Sequence, residues 1–112
     1  MPNTLARSAA LAVLLAAATA GCSTAPATLV TQPDFHPGGT VTCLMHQTDE
    51  PDAAFEGGPG SRPTSQLTFL AYYTAGGRAP FCDGQPATAT DKAWAQLYAR
   101  LTGNPTNVAA LL

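Results

Sequence analysis

The sequence has few charges, and few of them are positive. Only 11% of its 112 residues are charged, with five Lys or Arg against seven Asp or Glu, and Lys92 is the only lysine. Proteins that bind nucleic acid usually carry a clustered basic patch that neutralises phosphates. The scarce and dispersed positive charge therefore argues against nucleic acid as a partner and against a polybasic lipid-binding face.

The sequence also lacks an apolar run long enough to cross a bilayer. Its main apolar stretch extends from Ala9 to Ala18, whereas a transmembrane helix needs about 20 apolar residues. The stretch follows a short start whose only charge is Arg7, and small residues come after it, as in a secretory signal. We therefore expect residues 1–21 to be a signal peptide and not a membrane-spanning helix.

The residues after this stretch indicate where the signal ends. Thr19-Ala20-Gly21-Cys22 resembles the lipobox of bacterial lipoproteins, in which small residues precede a cysteine that receives diacylglycerol and becomes the mature N-terminus. The match covers these four residues and the signal upstream, and Thr19 stands where leucine is commonest. The resemblance implies that Cys22 carries fatty acyl chains such as palmitate and holds the protein on the extracytoplasmic face of the cell membrane.

Ordinary signal cleavage at Ala18-Thr19-Ala20, an A-x-A site, is the competing interpretation. It would export a protein with three cysteines, one of them unpaired near the N-terminus. Lipidation of Cys22 instead leaves Cys43 and Cys82 as an even pair, so cysteine parity favours the lipoprotein interpretation. A composition rich in Ala, Thr, Gly and Pro also resembles that of small lipoproteins from high-GC Gram-positive bacteria.

A disulfide between Cys43 and Cys82 suits the size of the mature chain, which has room for one small domain. Domains of this size bury only about 60% of their unfolded surface, and exported ones commonly use disulfides. In the chain-entropy model the closed loop contributes about 4 kcal/mol. Free thiols or metal ligands are the alternative, but the sequence has no CxxC spacing to support a metal site.

Composition divides the mature chain into a tether and a domain. Residues 22–39 are rich in Ser, Thr, Pro and Gly and are expected to be a flexible, lipid-anchored linker. Residues 40–112 are expected to form a small, mainly α domain, in which two amphipathic helices pack face to face and the disulfide staples the fold. Segment 40–47 suits a strand or a short helix, and we prefer a helix because the rest of the domain is predicted helical.

The first predicted helix runs from Thr64 to Gly77, with Thr64 or Ser65 as its cap and Gly76-Gly77 as its stop. Its core face is predicted to contain Leu67, Leu70, Tyr73 and Thr74, with Phe69 at the edge.

The second predicted helix runs from Asp91 to Thr102, with Thr90 as its cap. The spacing i, i+3, i+4, i+7 gives its core stripe as Trp94, Leu97, Tyr98 and Leu101. The terminal sequence favours one more short helix after Asn104, with frayed chain as the alternative.

The pattern for catalysis or metal binding is weak. His36, Met45 and His46 offer fewer ligands than a closed metal site needs once Cys43 is oxidised. The carboxylates between Asp49 and Glu56 match no calcium-loop spacing and are expected to be a solvated loop. The chain also has no G-x-S-x-G elbow. We therefore expect no enzyme activity and no cofactor.

An interaction surface remains as the expected functional feature. Tyr72, opposite the predicted core face, and Phe55, in the acidic loop, are the candidates, because aromatics are enriched at interface cores. The sequence thus predicts an exported, membrane-anchored lipoprotein with a binding or accessory role in the bacterial envelope, and another envelope protein as its possible partner. The alternative is a lipoprotein that binds a metal or small ligand near His36 and His46.

Overall fold

The computed structural model describes residues 27–112, which form three helices around an aromatic core. Helix α1 spans Pro63–Gly76, helix α2 spans Ala89–Thr102, and a C-terminal 3-10 helix spans Pro105–Leu111. The expectation of a mainly α domain is confirmed. The predicted signal peptide and Cys22 lie outside the described residues. Within residues 27–112, no helix is both long and apolar enough to span a membrane.

Helix α1 begins and ends differently from the prediction. Pro63 occupies its first turn, where the missing N–H costs nothing, and the preceding Arg62 makes no side-chain cap. Gly76 belongs to the helix, and Gly77 follows it with an ordinary φ of −59°. Glycine is needed at 76 for space, because a Cβ there would lie 2.5 Å from Cγ1 of Val41.

The core face of α1 also differs from the prediction. The helix buries Phe69, Tyr72 and Tyr73, whereas Leu67 is 61% exposed. The apolar residues of α1 are distributed around all sides of the helix, so its faces are nearly equal in hydrophobicity and periodicity does not identify the buried one. The face that meets the aromatic residues of the rest of the domain becomes the inner one.

Helix α2 begins at Ala89, two residues before the predicted start. Thr88 is the cap: its Oγ1 accepts a hydrogen bond from the Asp91 N–H at 3.1 Å, and Oδ2 of Asp91 accepts one from the Thr88 N–H at 2.9 Å. This reciprocal pair is a capping box, so the predicted cap at Thr90 is wrong. The predicted core stripe is confirmed: Trp94, Leu97 and Tyr98 are buried, and Leu101 packs at the edge of the core.

Aromatic rings fill the space between the two helices. Phe69 of α1 packs edge-on against Trp94 of α2, with ring centroids 5.2 Å apart, and against Tyr98 at 6.4 Å. Phe55, from the loop before α1, approaches Trp94 to 4.8 Å. Such T-shaped contacts place the positive edge of one ring against the negative face of another. The helices therefore pack face to face, as predicted, through aromatic side chains.

Segment 40–47 contains a single β-bridge and no helix. The Leu44 N–H donates to the Pro80 carbonyl at 2.7 Å, and the Cys82 N–H donates to the Leu44 carbonyl at 2.9 Å. The predicted disulfide between Cys43 and Cys82 lies beside this bridge, with a Cα–Cα distance of 4.9 Å. The preference for a helix here is wrong because the backbone of the segment pairs with the connection between α1 and α2.

Residues 27–39 lie against the domain. The Ala27 N–H donates to Oδ2 of Asp52 at 2.8 Å. Val30 and Gln47 exchange two hydrogen bonds, from the Val30 N–H to Oε1 at 2.8 Å and from Nε2 to the Val30 carbonyl at 2.9 Å. The predicted flexible linker over residues 22–39 is therefore corrected in its described part, because the domain begins no later than Ala27.

Candidate functional site

A polar cluster is centred on the imidazole of His46. Its Nδ1 lies 2.5 Å from Oδ2 of Asp91, in the first turn of α2, and its Nε2 lies 2.9 Å from Oδ1 of Asp83, in the turn before α2. A ring that donates from both nitrogens is a protonated histidine. The geometry thus suits an imidazolium held between two carboxylates.

The charges of the cluster stabilise one another. The hydrogen bond to Asp91 raises the pKa of His46 above its ordinary 6.5, against the opposing effect of burial, and Asp83 raises it further. Burial alone would raise the pKa of Asp91, but hydrogen bonds from Thr88, Gln47 and His46 outweigh it and hold that pKa below its ordinary value.

Asp83 has its pKa lowered first by the backbone N–H of Gln85 and then by His46. Its side chain is 52% exposed, whereas that of Asp91 is 1% exposed. Solvent therefore screens the bond from His46 to Asp83 far more than the bond to Asp91.

The cluster joins three parts of the fold. The His46 ring stacks on Phe81 with centroids 4.1 Å apart and planes at 9°. Asp91 accepts the Gln47 N–H at 2.7 Å in addition to its bonds with His46 and Thr88. Because these contacts use both carboxylate oxygens and both ring nitrogens, the cluster suits holding segment 40–47 against α2.

Sequence reasoning missed this cluster. The sequence pattern gives Asp91 only as the first residue of the second predicted helix and gives Asp83 no role. One local signal existed, because Thr88 and Asp91 have the three-residue spacing of a capping box. The contact of Asp91 with His46 spans 45 residues of sequence, and no local pattern indicates it.

The structure overturns both candidates for a partner surface. The Tyr72 ring is buried, and its hydroxyl accepts a hydrogen bond from the Met45 N–H at 2.9 Å. Phe55 is buried against Phe69 and Trp94. Neither side chain presents a contact surface, because both belong to the aromatic core.

The two histidines of the alternative prediction have different surroundings. His36 is exposed, and its Nδ1 lies 3.3 Å from the carbonyl of Pro37, whereas both ring nitrogens of His46 are hydrogen-bonded to carboxylates. Cys43 is in the disulfide. Among residues 27–112, no group of three or more His, Cys, Asp or Glu side chains is placed to hold a metal ion.

The acidic loop, predicted to be solvated, has two carboxylates that fasten the start of the domain. Asp49 accepts the Thr28 N–H at 3.1 Å, and Asp52 accepts those of Ala27 at 2.8 Å and Ala54 at 3.0 Å. The backbone carbonyl of Asp49 also accepts the Trp94 indole N–H at 2.6 Å. These side chains support local structure.

A polar surface cavity of about 290 Å³ lies beside segment 40–47 and is lined by residues that include Gln32, Asp34 and His36. Nε2 of Gln32 donates to the Cys43 carbonyl at 2.6 Å, which fixes the orientation of the amide. Its Oε1 is buried and has no hydrogen-bond donor among the described residues. A buried acceptor without a donor costs about 1–3 kcal/mol.

Fold and cluster together define the described chain as a small, disulfide-bonded helical domain with a His–Asp cluster at the start of its second helix. No protein-family model, curated protein or solved structure matches this chain.

Proposed function

We propose that this protein is an exported lipoprotein, anchored to a bacterial envelope membrane through Cys22, with a binding or accessory role. The pairing of Cys43 with Cys82 carries the proposal. Because the chain has three cysteines, this pairing leaves Cys22 as the one outside the bond. A structural disulfide fits an exported, oxidising compartment. The lipobox-like sequence before Cys22 indicates that the protein is exported and lipidated at this cysteine.

The anchor is tested by mass spectrometry of the protein purified from envelopes. We expect the N-terminal peptide to begin at Cys22 and to carry diacylglycerol, and we expect a Cys22→Ala variant to lose membrane attachment while keeping the disulfide. Fatty acylation holds a protein at the bilayer because each buried methylene contributes about 0.8 kcal/mol. A mature N-terminus other than Cys22, or an unmodified Cys22, would contradict the anchor.

The accessory role calls for a surface that faces away from the membrane. The outer face of α2 carries Lys92, Gln96 and Arg100, all exposed and four residues apart, so they share one side of the helix. Polar faces of this kind form the rims of transient protein interfaces.

The role is tested by photo-cross-linking in native envelopes, with a photoreactive residue in place of Gln96. We expect one discrete cross-linked protein, and we expect the same probe in place of Gln85, which is exposed but precedes α2, to give none. A probe at Gln96 that labels no discrete protein would contradict the accessory role.

Binding of a small polar ligand is the second candidate function. The polar cavity beside segment 40–47 favours it, since it is lined by Gln32, whose buried Oε1 has no donor among the described residues. Native mass spectrometry of the protein released gently from envelopes tests this candidate. We expect a bound small molecule that a Gln32→Leu variant loses. Ligand-free protein would contradict this candidate. Metal analysis of the same sample tests whether the bound ligand is a metal ion.

A further inference from the structure

We infer that the outer face of α1 lies on the surface of the same bilayer that holds Cys22. This inference rests on the proposed lipid anchor and adds a second contact between protein and membrane. The outer face is defined by Leu67, Leu70, Ala71, Thr74 and Ala75, which line a shallow apolar groove of about 370 Å³ together with Gly38 and Gly39.

The outer face of α1 has the composition of an interfacial contact. No residue from 63 to 77 is charged, and Leu67, at its centre, is the most exposed large apolar side chain among the described residues. A helix that is apolar on every side normally has neighbours on every side. The inner side of α1 has the aromatic core. The outer side contacts Gly38 and Gly39 at its edge, Thr74 reaches the Tyr98 hydroxyl of α2 at 3.0 Å, and Leu70 packs at the edge of the core, whereas Leu67 is 61% exposed.

The flanking charges suit an anionic lipid surface. Arg62 directly precedes α1, Arg78 follows its last residue by two positions, and both side chains are exposed. Arginines at the ends of an apolar helical face can contact lipid phosphates while the apolar side chains enter the headgroup region. Two arginines contribute only about 1 kcal/mol each near such a surface, so this contact depends on the lipid anchor.

The position of the first described residue brings α1 within reach of that anchor. Ala27 lines one cavity together with Thr64 and Ser65 in the first turn of α1. Cys22 precedes Ala27 by five residues, which span at most about 17 Å. A lipid on Cys22 therefore keeps the first turn of α1 close to the bilayer, and so short a connection raises the effective concentration of even a weak contact.

A second copy of the chain is a poorer occupant of this face. In an antiparallel pairing of two α1 helices, Arg62 of one copy would approach Arg78 of the other, and in a parallel pairing like arginines would meet. Both arrangements place like charges together. A stable dimer also needs about 800 Å² of contact from each partner, whereas this face offers one large exposed side chain among small residues.

Fluorescence quenching of the lipidated, full-length protein tests the inference. The protein is reconstituted in vesicles of phosphatidylcholine and phosphatidylglycerol with brominated acyl chains. Two variants are compared, Leu67→Trp on the outer face of α1 and Gln96→Trp on the outer face of α2, and the buried Trp94 contributes the same background to both. We expect roughly twofold stronger quenching for the Leu67 variant, because bromine quenches only an indole that enters the bilayer.

A third sample with Arg62→Gln and Arg78→Gln in the Leu67→Trp background should lose part of its quenching in anionic vesicles but not in pure phosphatidylcholine. Equal quenching of the two tryptophan variants would overturn the inference, as would chemical cross-links that join α1 of one copy to α1 of another. Mass spectrometry of the same samples reads the lipid on Cys22. If the protein is lipidated and the two variants are quenched equally, only the bilayer contact of α1 is contradicted. If Cys22 carries no lipid, the proposed anchor is contradicted as well.

Discussion

His46 and Asp91 are joined by a hydrogen bond of 2.5 Å from Nδ1 to Oδ2, across 45 residues of sequence. The same carboxylate group accepts the backbone N–H groups of Gln47 and Thr88. The buried Asp91 side chain therefore connects Gln47 of segment 40–47, the cap of α2 and the imidazole of His46. The stability of the fold should depend on the charge of this pair.

We predict that thermal stability is greatest between about pH 4 and 6.5. The raised pKa of His46 stabilises the folded state fully below about 6.5, and this contribution is lost as the pH rises through the folded-state pKa. The lowered pKa values of Asp83 and Asp91 act oppositely: they stabilise the fold above about pH 4 and lose that effect as the pH falls through their folded-state values.

Calorimetric melts over this range measure the effect. A His46→Gln variant should lose most of the decline on the alkaline side, while His36→Gln, at an exposed position, should keep it. An unchanged alkaline decline in the His46 variant would show that another group causes it.

Replacing Asp91 by Asn should lower the free energy of unfolding by about 2–3 kcal/mol, because it removes a charged acceptor from three donors and leaves buried N–H groups poorly paired. Asp83→Asn is the matched control. Its side chain is about half exposed, so we expect a change of less than about 1 kcal/mol. Urea denaturation measures both values, and equal losses in the two variants would contradict the central role of Asp91.

Removing the disulfide with Cys43→Ser and Cys82→Ser should lower the free energy of unfolding by about 4 kcal/mol. In a domain of this size the corresponding fall in Tm is about 15–30 °C. The control is Cys22→Ala, which should leave the Tm of the domain unchanged. If reduction of the native protein leaves its Tm unchanged, Cys43 and Cys82 do not stabilise the fold.

The two sides of α1 should respond very differently to truncation. Phe69→Ala removes a ring from the aromatic core and should cost about 3–5 kcal/mol. Leu67→Ala removes an exposed side chain and should change the free energy of unfolding by less than about 0.5 kcal/mol. Urea denaturation of the domain in the absence of lipid measures both values. A larger loss of free energy of unfolding for Leu67→Ala than for Phe69→Ala would show that the core face predicted from periodicity is the correct one.

The close approach at Gly76 gives a fifth prediction. Gly76→Ala would place a methyl group 2.5 Å from Cγ1 of Val41, and overpacking of this kind costs about 1–3 kcal/mol. Gly58→Ala is the control, since nothing lies within 4 Å of the added atom. Thermal melts compare the two variants, and equal Tm values would show that segment 40–47 moves aside without cost.

Two features of the domain followed from the sequence alone, and both depend on local or countable properties. Helix α2 was recognised with its core stripe of Trp94, Leu97 and Tyr98, because its apolar residues recur on one side only. The disulfide followed from cysteine parity in an exported chain. Export and lipid attachment at Cys22 are also inferred from the sequence alone, and they remain predictions.

Tertiary structure alone decided which way α1 faces. Its apolar residues occupy every side, so propensity and periodicity leave the choice open, and the aromatic rings of Phe55 and Trp94 settle it by packing on Phe69. The same is true of the polar contacts that order residues 27–39 and of the bond between His46 and Asp91. Each joins groups far apart in the chain, and their free energy depends on burial and geometry that exist only once the chain has folded.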